Sequence, residues 1–190
     1  MQGSGTTPAN QFGSNAASAW SAGYTGSSDV YVAVLDSGID VEHPDLAANV
    51  WVNPGETAGD GIDNDGNGFV DDVNGYDFVY GNGTVFDGNE HPHGTHVAGT
   101  IAAVGGNGIG VAGVAWNVKL ISVKIVDLEG HTTSAAAIAG INYVNDLRTK
   151  TGLDIIAMNA SWGGAGYSQA MEEAIQRGGD AGIVFVAAAG

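Results

Sequence analysis

Three histidines fall within six positions in HPHGTHVAGT, residues 91–100, of a chain that has five histidines in all. An imidazole can accept and return a proton near neutral pH, and it can also ligate a metal. Zinc sites built on a helix normally use two histidines at i and i+4 with a third ligand nearby. The separations among His91, His93 and His96 are two and three, and no glutamate lies inside the stretch, so the spacing disfavours a metal. Val97, Ala98, Ile101 and Ala102 supply one apolar helical face, which puts His93 at a helix start and His96 one turn deeper. We therefore read His93 as a general base, His96 as a packed structural residue and His91 as a solvated loop residue.

Two further segments carry polar groups where chemistry could use them. In VAVLDSGIDVEHPDL, residues 32–46, Asp36 closes an apolar run and Gly38 frees the turn beyond it. A carboxylate fixed there can orient an imidazole and stabilise its charged form; alternatively it makes a local turn bond. In MNASWGG, residues 158–164, Ser161, Trp162 and Gly163 form either an extended edge on which a peptide backbone could pair, or simply a glycine-rich turn.

A fourth segment, DGIDNDGNGFVDDVNGYD at residues 60–77, has the alternating acids of an EF-hand loop. Asp63, Asp65 and Asn67 take the first three ligand positions, Gly68 the sharp turn, Phe69 a carbonyl position and Asp71 the next. The last position holds Asn74 instead of a bidentate glutamate, leaving Asp60, Asp72 or Asp77 to complete the shell. A solvated acidic loop is the alternative, but so many neighbouring carboxylates repel one another unless a cation intervenes. Calcium is the cation this oxygen-only set favours.

These segments have to be held by regular elements. The runs at 30–36, 119–127, 153–161 and 182–190 are apolar and rich in β-branched residues, as in strands buried on both faces. Helix-like stretches at 93–104, 133–150 and 167–182 alternate with them, with Thr133 or Ser134 as an N-cap and Gly178 with Gly179 as a stop. Strand and helix in alternation predict an α/β fold: a doubly wound, mostly parallel sheet with helices on both faces. Ligands of such sheets sit beyond the carboxyl ends of the strands, where Asp36 lies.

Composition sets the limits. At 190 residues and 44% hydrophobic, the chain can bury one substantial core. Twenty-one acidic side chains face five basic ones, a formal charge of -16, which excludes nucleic acid and anionic membrane surfaces as partners and favours cations. Cysteine is absent, which removes thiolate catalysis and cysteine-ligated zinc. Residues 1–20 have neither a basic start nor an apolar run, so the chain reads as cytoplasmic or as lacking its leader.

Taken together, VAVLDSGIDVEHPDL, HGTHVAGTIAA, NASWGG and VFVAAAG resemble the motifs of the subtilisin-like serine peptidases, in that family's order. The resemblance implies that Asp36 is the acid and His93 the base of a catalytic triad, that Ser161, Trp162 and Gly163 line the cleft for a polypeptide substrate, and that the whole protein is secreted. It further implies a second calcium position at Asp45 and Asn107, with Val104, Ile109 and Val111 offering carbonyls. The family's Gly-Thr-Ser nucleophile motif is not found in the chain, and the oxyanion asparagine would directly follow Gly190. Residues 1–190 are accordingly expected to be an incomplete peptidase domain truncated at its C-terminal end, with 1–28 a lead-in and 52–90 an acidic calcium-loop insertion. Two other function classes stay open at this point: a calcium-binding module without catalysis, and a metal-dependent hydrolase using the histidine cluster.

Overall fold

The computed structural model describes residues 13–164 and 166–189. Five parallel strands form one sheet: β1 (Tyr31–Asp36), β2 (Gly75–Asp77), β3 (Lys119–Lys124), β4 (Ile155–Ala160) and β5 (Val184–Ala187), in the order β2-β3-β1-β4-β5. The helices are α1 (Ala16–Ser21), α2 (His93–Ala102), α3 (Ser134–Asp146) and α4 (Gln169–Asp180).

The central strand shows why the strand runs carry no alternation. Val32 and Val34 of β1 pack with Ala98 and Ala102 of α2 on one face, while Ala33 and Leu35 pack with Ala137, Ile141 and Ala174 of α3 and α4 on the other. Both faces are dry, so both sets of alternate residues must be apolar. The predicted α/β architecture with helices on both faces is what the chain adopts.

Two local features differ from the sequence reading, and a third is decided between its two alternatives. The edge strand β2 lies within the acidic segment; three residues are too few to show a strand period, and Gly75 lets the backbone lie against the Ser122 carbonyl where a side chain would clash. The helix α4 runs through Gly178 and Gly179 and stops at Gly182, whose φ is +83°. Gly178 is used instead for close packing against Asn145 and Met158. The N-cap of α3 is Thr133, whose Oγ1 accepts the Ala136 N–H at 3.1 Å.

On the α2 side of the sheet, β5 has no covering layer among the described residues. Ala157 packs with the α2 cluster and pairs in register with Val184, and Asn159 with Val186. Val184 and Val186 are 62% and 46% exposed on that face.

Candidate active site

Asp36 ends a strand buried along nearly its whole length and is itself buried. The sheet continues to hold its backbone, because its carbonyl accepts the Ile125 N–H at 2.9 Å. Two residues on, Gly38 turns the chain with φ +102°, at a point where a Cβ would run into the Val85 carbonyl. Gly94, the second residue of α2, lies against the Gly38 carbonyl, and no side chain fits between them. Two glycines thus bring the start of α2 onto the end of β1. The Ser37 hydroxyl joins them further, donating to the His91 carbonyl at 2.6 Å and accepting the Gly94 N–H at 3.0 Å.

The result is a close pair. His93 Nδ1 lies 2.8 Å from Asp36 Oδ1 and 2.9 Å from Oδ2, and Oδ1 also accepts the Ser37 N–H at 2.8 Å. An ionised carboxylate only accepts, so the proton of the neutral ring sits on Nδ1 and Nε2 keeps its lone pair. The His93 side chain is 46% exposed, whereas that of Asp36 is 2% exposed. One group is thus enclosed and fixed, and the other is open to solvent.

The pair opens into a cleft of about 480 Å³. It is lined by Asp36, Ser37, His91 and His93, by Val126 and residues 130–132, and by Ser161, Trp162 and Gly163. The Ser161 hydroxyl accepts from Asn159 Nδ2 at 2.8 Å, and Trp162 packs partly into the core beneath. His131, 79% exposed at its side chain, joins the lining; it lies in a turn with no motif of its own, so spacing could not single it out.

The three histidines separate. His91 is exposed, its ring 6.3 Å from that of His93, and its Nδ1 accepts the His93 backbone N–H at 3.3 Å. His96 is exposed rather than packed. The buried positions of α2 are Gly94, Ala98, Gly99 and Ala102, so position 96 falls on the opposite side of the helix. It lines a second cavity of about 440 Å³ with His43 and Asp45.

In the acidic segment, carboxylate oxygens of Glu56, Asp65 and Asp72 all lie within 4.8 Å of one another. Asn67 Nδ2 reaches Asp72 at 3.0 Å and Asp65 at 3.2 Å, and Asn53 Nδ2 reaches the same two acids at 2.9 and 3.0 Å. Asp63 faces its own loop instead, accepting the Asn67 and Gly68 N–H groups. Asp71, in the left-handed region at φ +56°, accepts the Gly59 and Gly61 N–H groups. Phe69 packs its ring edge-on against Tyr143, 4.9 Å between centroids. Asp72 is fully buried and accepts the Tyr143 hydroxyl at 2.7 Å. Burial pushes its carboxyl up to about 6 against the pull of those hydrogen bonds. Glu56 precedes the motif, and no loop spacing pointed to it. Asp77 turns away to Lys124. At the other position, Asp45 accepts Asn107 Nδ2 at 2.7 Å and the Val111 N–H at 2.9 Å, so those residues do meet.

Among the described residues, no helix is long and apolar enough to cross a membrane. Comparison with known sequences gives the family. Subtilisin DY of Bacillus licheniformis is 38% identical over 168 residues, which is 88% of this chain and 49% of that protein. Subtilisin E of Bacillus subtilis is 40% identical over 172 residues, 90% of this chain and 36% of that protein. Subtilisin-like protease 1 of Plasmodium vivax is 52% identical over 97 residues, 50% of this chain and 15% of that protein. The chain spans half or less of the length of each. The sequence profile described as the Subtilase family matches residues 27–190, so the strand-end aspartate and helix-start histidine sit in a chain that belongs to the subtilase family.

Proposed function

We propose that the chain forms the Asp-His part of a serine endopeptidase centre, with the nucleophilic serine supplied by sequence beyond Gly190. The observation that carries this reading is the buried Asp36 carboxylate held 2.8 Å from Nδ1 of an accessible His93 in a cleft. Nε2 takes the proton of the serine hydroxyl as its oxygen attacks the peptide carbonyl. Asp36 stabilises the imidazolium so formed, and the same proton then passes to the leaving amine. The acyl-enzyme is hydrolysed by water in the reverse sense. A polypeptide substrate lies along Ser161, Trp162 and Gly163, whose backbone edge borders the cleft.

Calcium belongs to the same reading. Glu56, Asp65 and Asp72 offer a hard, oxygen-only donor set, and three carboxylates so close together, one of them fully buried, repel one another without a cation. Asp63, Asn67, Phe69 and Asp71 shape the loop around them, and Asp45 with Asn107 forms a second position. Bound calcium would neutralise the acidic segment and brace it; it has no part in the proton transfers. The resemblance to subtilisins supports reading the whole protein as secreted.

The test is fluorophosphonate labelling of the longer protein that includes this chain. Labelling that disappears in His93→Ala is expected. Undiminished labelling of that variant would overturn the assignment of the base.

A further inference from the structure

We propose that Glu90, clamped by the buried Lys124, is a positioning residue that fixes the approach of His93 to Asp36, an inference that rests on the peptidase reading above. Lys124 closes β3 in register with Asp36 on one side and Asp77 on the other. Its side chain is 3% exposed and passes beside Gly38. Nζ lies 2.9 Å from Glu90 Oε1 and 3.0 Å from Asp77 Oδ2.

Two carboxylates meet one ammonium in this buried cluster, so it holds one negative charge more than Lys124 neutralises. Stability alone does not call for the second acid, since a single buried pair already balances and an extra buried charge is costly. What Glu90 adds is a grip on the chain. Its two oxygens accept the Asp87 N–H at 3.0 and 2.9 Å, and one accepts the Gly88 N–H at 3.0 Å. Burial alone would raise the Glu90 carboxyl, yet the Lys124 and Asp87 hydrogen bonds outweigh it and leave Glu90 below its ordinary value and ionised. Three residues later the chain enters α2 at His93. The segment is therefore held at Glu90 by β3 and at His91 and Gly94 by Ser37, with the catalytic ring between the two anchors. Asp77 grips the same ammonium from β2, a strand with no residue in the cleft.

That asymmetry supplies the test. Glu90→Gln and Asp77→Asn each remove one carboxylate from Lys124, but only the first loosens the His93 segment. Long-range proton–nitrogen NMR of the longer protein that includes this chain reads which ring nitrogen of His93 carries the proton. We expect a single Nδ1–H form in the parent and in Asp77→Asn, and a mixture with a comparable Nε2–H population in Glu90→Gln. Glu90→Asp, which keeps the charge but withdraws it by one methylene, gives the same mixture and serves if the glutamine variant does not fold. In the longer protein, Glu90→Gln lowers kcat about tenfold to a hundredfold with KM unchanged, as for a misplaced catalytic group. A single Nδ1–H form persisting in Glu90→Gln, or an equal mixture in Asp77→Asn, overturns the positioning role alone. A parent ring with no Nδ1–H preference, or one that Asp36→Asn leaves unaltered, overturns the dyad and the proposal with it.

Discussion

A carboxylate and an imidazole 57 residues apart do chemistry together only if each is held, and the two are held differently. Asp36 is fixed by burial and by the Ser37 N–H; His93 is fixed through its backbone and left exposed at the ring. Asp36→Asn keeps the shape but offers an amide that can donate to the ring, favouring the wrong tautomer; kcat of the longer protein should fall about ten-thousandfold, as for the equivalent change in a serine triad. The sign of the pH effect at Glu90 follows from its lowered carboxyl. Its contribution to stability is present above the unfolded value near 4.5 and is lost as pH falls through the lower folded value. Lys124, pushed above 10.5 because its two acids outweigh burial, contributes below 10.5 and loses that contribution as pH rises through its folded value. The stability gap between parent and Glu90→Gln, followed by denaturant melts, should narrow as the solution is acidified below pH 4.5. A gap that widens on acidification would contradict the ion pair.

At the scale of elements, the parts easiest to read from sequence are those whose signal is local. The strand β1 and the start of α2 were legible because a doubly buried strand leaves an unbroken apolar run and because helix faces follow a fixed angular step. Thr133 was legible as one of two adjacent hydroxyls, and only geometry chose it; Thr133→Ala should cost about 1 kcal/mol, seen as a few degrees in Tm. What was not legible depends on partners distant in the chain. The exposure of His96 follows from which α2 positions meet β1, and the place of Glu56 beside Asp65 and Asp72 follows from a loop closure that no ligand spacing encodes. Gly178 looked like a helix stop because its packing partner, Asn145, lies on another helix. Gly94 is the sharpest element-scale test, since a methyl there meets the Gly38 backbone. Gly94→Ala should displace α2 and scramble the His93 tautomer, and intact Nδ1–H preference in that variant would refute the close approach.

Across the whole molecule, two surplus features remain on the surface, one of charge and one of apolar area. For the charge, the proposed calcium makes a prediction: chelation should lower Tm by several degrees, because an ion at a hundredfold excess over its Kd stabilises the folded state by about 2.7 kcal/mol. Asp65→Ala with Asp72→Ala should remove part of that response, and a Tm indifferent to calcium in the parent would leave the acidic segment merely solvated. The apolar area is the α2 side of β5, where Val184 and Val186 stand exposed although Ala157, the register partner of Val184, packs against the α2 cluster. Water against such a face is unfavourable by roughly 25 cal/mol for each Å² of apolar surface, and an open parallel edge adds unpaired backbone groups. The 190-residue chain by itself should therefore associate as its concentration rises. Val184→Gln with Val186→Thr removes apolar surface while leaving the β4–β5 pairing in place, and it should shift sedimentation toward the monomer with the melting transition little changed. Association that persists undiminished in that variant would locate the sticky surface elsewhere.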